Sequence, residues 1–244
     1  MKVRIDQLLV TRGLAPTRAR AQALLLAGRV LVDGKRMDKA GSLVAEDAEV
    51  ALKGNDHPFV SRGGVKLAGA LDALKVDVRD KRCLDVGAST GGFTDCLLQR
   101  GARSVAAVDV GYGQLASRLR SDRRVLVKER TNARTLQPED IGGPVDLTVV
   151  DASFIGLGKL LDAIARCTRS GGQLLALIKP QFEVGRAEAA KTKGVVRDAA
   201  LRERAITEVV REVEAAGFRV LGQCDSTLAG PRGNVEAFVW AERG

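Results

Sequence analysis

The chain has 244 residues, of which 45% are hydrophobic and 28% charged, and carries a formal net charge of +9. That balance is globular, and no stretch approaches the roughly 18 consecutive apolar residues of a membrane-spanning helix, so integral membrane association is not expected. Four cysteines (Cys83, Cys96, Cys167, Cys224) form no CxxC pair and accompany a single histidine, which excludes the usual spacing of a zinc site or a disulfide framework. The first residues, Met1 to Val10, carry Lys2, Arg4 and Asp6 without an apolar run, unlike a secretory signal, and the cytoplasm is the expected compartment.

The positive charge is concentrated at one end. Up to Met37 eight Lys or Arg stand against two acids, a net +6 that favours a polyanionic partner. Arg4 to Arg12 places Ile5, Leu8 and Leu9 at helical spacing before Gly13, which predicts a short helix. Thr17 is a candidate N-cap for a second helix to Ala27, with Ala19, Ala23, Leu24 and Leu26 as its apolar positions and Gly28 behind it. Val30, Leu31 and Val32 then meet Asp33-Gly34, a two-residue hairpin signal. Arg4, Arg18, Arg20, Lys35 and Arg36 are the candidate phosphate-contacting residues of this small α+β module.

Lys53 to Val60 is punctuated by Gly54, Asn55 and Pro58 and reads as a linker. The expected organisation is a binding domain at 1–53, a linker at 54–62 and a larger domain at 63–244. In the larger domain apolar strands are predicted at Arg82 to Val86, Val105 to Val108, Val125 to Val127, Leu147 to Val150, Leu174 to Ile178, Val220 to Gly222 and Ala237 to Trp240. Helical stretches separate most of them, the pattern of a doubly wound, Rossmann-like α/β sheet whose ligands bind beyond the carboxyl ends of the strands. The last two strands are joined by a Gly and Pro loop without a helix, so they must be antiparallel.

The first of these strands runs into Asp85-Val-Gly87-Ala88-Ser89-Thr90-Gly91-Gly92-Phe93. As a dinucleotide fingerprint it has Ser89 where glycine is wanted, and as a nucleophile elbow it lacks a histidine later in the chain. A cofactor without phosphates fits better. In that reading the loop from Asp85 to Phe93 wraps the methionine end of S-adenosylmethionine, Asp109 on the next strand tip accepts from the ribose hydroxyls, and Asn132 lies near the adenine edge. The bland alternative is a tight turn and a loop-capping aspartate.

The fourth strand ends at Asp151 without the prolines that mark exocyclic amine methylation, and no cysteine is placed to attack a cytosine ring. The strand ends do offer Asp151 and Lys179, roughly 5 Å apart if neighbours. Glu236 begins the returning last strand beside Lys179, and Lys66 lies in the helix entering the domain. A ribose 2′-hydroxyl is a poor nucleophile, and a lysine held neutral can take its proton, a role worth about 10² to 10⁴ in rate. Lys179 is the candidate base, oriented by Asp151 and Glu236. Singly, each of these residues is as well explained by solvation or loop capping; together the four converge on one lip.

The order Lys66, Asp151, Lys179, Glu236 resembles the catalytic tetrad of FtsJ-like ribose 2′-O-methyltransferases. The segments Val-Ser-Arg-Gly-Gly-Val-Lys66-Leu, Asp85-Val-Gly-Ala-Ser-Thr-Gly-Gly-Phe-Thr, Asp109-Val-Gly-Tyr-Gly-Gln-Leu, Glu129-Arg-Thr-Asn-Ala-Arg, Asp151-Ala-Ser-Phe-Ile, Lys179-Pro-Gln-Phe-Glu-Val-Gly and Gly230-Pro-Arg-Gly-Asn-Val-Glu236 are together similar to the TlyA family. That resemblance implies S-adenosylmethionine as cofactor, no metal, an N-terminal module of the ribosomal-protein S-four type, and 2′-O-methylation of cytidine in ribosomal RNA within ribosomal subunits. Family members carry the names haemolysin and rRNA methyltransferase, so a membrane-active haemolysin and a silent ribosome-assembly factor are the competing expectations. One departure is the linker, His57-Pro58-Phe59-Val60, where the family carries a tryptophan. Glu183 to Asp198 is a candidate RNA-facing lid, with an ordinary surface loop as its alternative.

Overall fold

The computed structural model describes residues 2–15, 17–52, 57–153, 155–184, 195–230 and 233–244. The chain divides into two compact units, Met1–Pro58 and Phe59–Gly244.

In the first unit β1 (Lys2–Arg4) leads into α1 (Ile5–Thr11) and α2 (Arg18–Leu26), followed by β2 (Val30–Val32), β3 (Lys35–Met37), β4 (Leu43–Ala45) and β5 (Val50–Leu52). β1 pairs antiparallel with β4, and β2 is flanked by β3 and β5. The hairpin turn has φ of 49° at Asp33 and 74° at Gly34, the two left-handed residues of a type I′ turn. Thr17 caps α2 by accepting from the Arg20 N–H. The buried face of α2 differs from the expected stripe. Ala21, Leu24 and Leu25 are buried with Ile5, Leu8 and Leu9 of α1, whereas Ala19 and Ala23 are exposed and Leu26 keeps 77% of its surface. Ala21, Leu24 and Leu25 are an i, i+3, i+4 set, and that face is the one turned to the core. The three-residue strands β1, β4 and β5 are too short to show a period in sequence.

The second unit opens with α3 (Arg62–Ala73). It then alternates β6 (Arg82–Val86), α4 (Gly92–Gln99), β7 (Ser104–Val108), α5 (Ser117–Arg120), β8 (Val125–Lys128), β9 (Val145–Val150), α6 (Leu161–Cys167) and β10 (Thr168–Ile178). It closes with α7 (Pro180–Glu183), α8 (Ala199–Ala215), β11 (Phe218–Asp225) and β12 (Ala237–Arg243). The seven strands form one sheet in the order β11-β12-β10-β9-β6-β7-β8. β12 is antiparallel to both β11 and β10, and the other pairings are parallel. All seven expected strands are present; β9, β10 and β11 begin earlier than their apolar cores suggest.

The sheet is apolar on both faces. Ile164, Val209 and Val213 bury one face, and Leu67, Leu71, Phe93 and Leu97 bury the other. Strand order reverses direction between β9 and β6, so the carboxyl ends of these two strands flank a crevice, the place where doubly wound sheets bind ligands. Among the described residues no helix is long and apolar enough to cross a membrane. Of the candidate lid, residues 185–194 lie outside the described residues, as do residues 53–56 of the linker.

Candidate active site

Beyond the end of β6 the chain turns at Gly87, whose φ is 86°. A Cβ here would stand 2.7 Å from the Asp151 carbonyl oxygen, so only glycine lets the β6 and β9 ends approach this closely. Gly92, the first residue of α4, is constrained differently: a Cβ would meet Ser61 Oγ at 2.2 Å and the Gly64 nitrogen at 2.9 Å. The start of α3 thus sits directly on the start of α4.

Asp109, just past β7, ties two loops together. Its Oδ2 accepts from the Ser89 N–H at 2.8 Å and its Oδ1 from the Gly111 N–H at 2.6 Å. The carboxylate stands on the wall of a cleft of about 630 Å³ that Gly87, Val110, Asn132, Ile155 and Leu160 also line. That volume suits a ligand of nucleoside size. Asn132 reaches the cleft while its side chain also accepts from the Arg134 N–H, so its ligand-facing and turn-capping places coincide. A smaller cavity of about 170 Å³ adjoins the cleft through Gly87, Ser89, Asp151 and Ser153, and its wall includes Ala88, Thr90, Gly92, Phe93 and Lys179.

Two members of the loop lie differently from the others. Asp85 is fully buried beneath the turn and is not on the wall of either cavity. Its Oδ2 accepts from the Thr94 N–H at 2.9 Å and hydroxyl at 2.6 Å, and its Oδ1 has no hydrogen-bond partner among the described residues. Burial, reinforced by Asp151 and Asp109, pushes its carboxyl up to about 7 against the Thr94 hydrogen bonds. Phe93 is buried in the core, its ring stacked on Phe238 at 6.1 Å. Gly91 is the left-handed N-cap residue of α4.

The polar quartet resolves into two pairs. Lys179 Nζ is 2.5 Å from Asp151 Oδ1 and donates to Ser153 Oγ at 2.8 Å. Lys66 Nζ is 2.5 Å from Glu236 Oε2. Glu236, expected to orient Lys179, is therefore held by the other lysine. Its carboxylate has no exposed surface, and a charge so buried requires a cation of its own, which α3 supplies. Asp151 meets Lys179 because β9 and β10 are parallel neighbours: Val150, the last residue of β9, lies opposite Ala176, two residues before the end of β10.

Ser153 lies inside the segment Asp151-Ala-Ser-Phe-Ile, but the sequence gives it no role; its contact with Lys179 comes from the fold. Gln114, whose Oε1 accepts from the Ser89 hydroxyl at 3.2 Å, is a second such residue on the cleft wall. The thiols have no comparable place. Burial pushes Cys83 and Cys96 up to about 12 and Cys167 to about 11, which disfavours the thiolate that attack on a ring carbon needs, and none of the three lines the cleft or its adjoining cavity. Among the described residues no group of His, Cys, Asp and Glu is arranged to hold a metal ion.

In the first unit Arg20, Lys35 and Arg36 are exposed, the Arg36 guanidinium lying over Gly28. Arg4 and Arg18 instead share one buried carboxylate, Asp6.

Residues 59–243 match the FtsJ-like methyltransferase family, and residues 3–50 match the S4 domain. The chain is 48% identical to the 16S/23S rRNA (cytidine-2'-O)-methyltransferase TlyA of Mycobacterium tuberculosis, over 98% of this chain and 89% of that one. It is 36% identical to Hemolysin A of Brachyspira hyodysenteriae, over 96% of this chain and 97% of the relative. A solved structure described as a hemolysin from Streptococcus thermophilus superimposes with a TM-score of 0.77 at 41% identity, covering 99% of this chain and 88% of that one. An S-adenosylmethionine dependent methyltransferase from Listeria monocytogenes shares the fold of the larger unit, with a TM-score of 0.56 at 12% identity, covering 75% of this chain and 98% of that one. With its cleft, its glycine turn and its two lysine–carboxylate pairs carried on that sheet, the chain belongs to the FtsJ-like methyltransferase family and, within it, to the TlyA proteins.

Proposed function

We propose that this protein transfers a methyl group from S-adenosylmethionine to the ribose 2′-oxygen of a cytidine in ribosomal RNA, in the small subunit, the large subunit or both. The observation that carries the reading is Lys179: an amine 8% exposed, held by Asp151 and Ser153 at the wall of a cavity that adjoins the cleft. The residues fit the cofactor. The cleft has nucleoside size, Gly87 removes the Cβ that would separate the two strand ends, and Asp109 presents a carboxylate on the wall.

Gly87, Ala88, Ser89, Thr90, Gly91 and Gly92 would form the turn around the methionine end, with Asp85 and Phe93 holding that turn from beneath. Asp109 would take the ribose hydroxyls and Asn132 the adenine edge, while Asp151 closes the wall between both cavities. When bound, S-adenosylmethionine supplies an electrophilic methyl carbon. Lys179 would accept the 2′-hydroxyl proton as the oxygen bonds to that carbon, whose bond to the donor's sulfur breaks so that the thioether S-adenosylhomocysteine leaves. Asp151 and Ser153 fix the direction of the amine, with the buried Lys66–Glu236 pair as the remaining members of the proposed catalytic quartet.

Residues 1–53, with Arg4, Arg18, Arg20, Lys35 and Arg36, dock the RNA, residues 54–62 link, and residues 63–244 carry the chemistry. With aromatic residues at 3% of the chain, base-stacking platforms are scarce, and docking rests on phosphates and shape. Ribosomal subunits in the cytoplasm are the substrate particles in this reading. The test is transfer of labelled methyl from S-adenosylmethionine to purified small and large subunits. Label recovered as a 2′-O-methylcytidine, and lost in Lys179→Ala, supports the function and the base. Absence of transfer to either subunit overturns it.

A further inference from the structure

Asp6 sits in the first turn of α1 with none of its surface exposed, a position carboxylates take only when paired. Four hydrogen bonds converge on it. Arg4 donates from Nε to Oδ1 and from Nη2 to Oδ2, each at 3.0 Å, Arg18 donates from Nε to Oδ2 at 2.9 Å, and Gln22 donates from Nε2 to Oδ2 at 3.2 Å. The guanidiniums, Arg4 first, hold its carboxyl well below the usual carboxylate range, against the effect of burial.

The arginines are not consumed by this contact. Their side chains keep 41% and 50% of their surface. Arg18 is engaged through Nε alone, and Arg4 through Nε and Nη2, so three terminal nitrogens have no hydrogen-bond acceptor among the described residues. Arg18 also borders a surface depression of about 420 Å³ with Val3, Gln7, Leu8, Thr11 and Glu46. Two cations share one anion, so a unit of positive charge remains, on two guanidiniums whose planes are fixed before any ligand arrives. A free arginine loses rotamer freedom when it grips a phosphate; these two have lost it already.

We propose that Asp6 is a positioning residue that sets Arg4 and Arg18 as a rigid fork for an RNA backbone phosphate, an inference that rests on the ribosomal RNA reading above. The test is Asp6→Asn in the full chain, with binding to purified ribosomal subunits measured across a salt series and S-adenosylmethionine affinity measured alongside. A carboxylate acting only as a charge would repel RNA, so its removal would tighten binding. A positioning role gives the opposite: binding at least ten-fold weaker, and a salt slope smaller by about 0.7 to 0.9 for each phosphate that is no longer neutralised. Because Asp6→Asn removes a buried partner and can unfold the first unit, Arg18→Lys is the companion variant. It keeps the charge and the fold but has no Nε to give Asp6 while two amines face outward, and it is expected to weaken binding at least five-fold. Variants that bind subunits as tightly as wild type, or that lose affinity for anionic vesicles but not for subunits, overturn this proposal alone. Wild-type chain that fails to bind subunits overturns it together with the ribosomal RNA reading.

Discussion

Lys66 Nζ lies 2.5 Å from Glu236 Oε2, in a pair whose carboxylate is wholly buried and whose other oxygen, Oε1, has no hydrogen-bond partner among the described residues. Lys179 and Asp151 form the second pair, in which the Asp151 side chain keeps 24% of its surface. The difference in exposure separates their consequences. Removing Lys66 strands a buried charge, at a cost of about 3 to 5 kcal/mol. Lys66→Ala is therefore expected to lower the melting temperature of the second unit by roughly 6 to 20 °C, at about 2 to 4 °C per kcal/mol. Lys179→Ala leaves a carboxylate that water can reach, so it melts within a few degrees of wild type while single-turnover methyl transfer falls by about 10² to 10⁴. Thermal melts beside single-turnover rates check both; equal melting temperatures for the two variants would show that the Lys66 pair carries no special stability.

Gly87→Ala tests the turn at the cleft. The substitution places a methyl 2.7 Å from the Asp151 carbonyl oxygen, and it does so at a φ of 86° that alanine resists. Backbone strain of about 1 to 3 kcal/mol is the direct cost. The β6 and β9 ends must also move apart, which displaces Asp151 from Lys179. The expected result is at least a ten-fold rise in the dissociation constant for S-adenosylmethionine by calorimetry, with a larger fall in kcat. Unchanged cofactor affinity would place the ligand away from this turn.

Glu183 carries a pH dependence. Its Oε1 accepts from the Leu157 N–H at 3.0 Å, and burial, with Glu212 nearby, pushes its carboxyl from 4.5 up to about 7. The folded state therefore binds its proton more tightly than the unfolded chain does. The stability this contributes is fully present below about pH 4.5 and is lost as pH rises through 7. Allowing for the part of the side chain in contact with water, the loss is on the order of 2 kcal/mol. Glu183→Gln keeps an oxygen for Leu157 and no charge, so urea melts should find it level with wild type at pH 4 and more stable by that amount at pH 8. Asp85, raised in the same direction by its own burial, leaves a residual slope in the variant. A variant no more stable than wild type at pH 8 would contradict this account.

What could be read from the sequence follows from the length scale of each signal. The apolar strand cores and the Asp33-Gly34 turn are local patterns, and the structure contains each of them. The pairing of Asp151 with Lys179 is also local in effect, since parallel neighbours bring their ends together. The division of the quartet is not, because it depends on where α3 lies against β12, a relation between residues 170 positions apart. The buried face of α2 is obscured for a related reason: alanines at 19, 21 and 23 are equally apolar, and only packing against α1 selects Ala21. In sequence Asp6 is one acid among many basic residues; its burial and its two arginine partners come from β1, α1 and α2 meeting in space.

The exposed cations of the first unit offer a measurement independent of the fork at Asp6. Arg20 on α2 and Lys35 and Arg36 on β3 are exposed. Unlike the pair on Asp6, their guanidinium and ammonium groups have no ion-pair partner among the described residues, so their full charge is available to RNA phosphates. Each phosphate neutralised adds about 0.7 to 0.9 to the slope of log affinity against log salt. The triple variant Arg20→Gln, Lys35→Gln, Arg36→Gln is expected to flatten that slope for ribosomal subunits by about 2 to 3. Its S-adenosylmethionine affinity and its melting temperature should stay at the wild-type values, because none of the three is in the core of either unit. A slope equal to wild type would mean that these residues face away from the RNA, and that the net +6 of the first 37 residues acts through Arg4, Arg12, Arg18 and Arg29 instead.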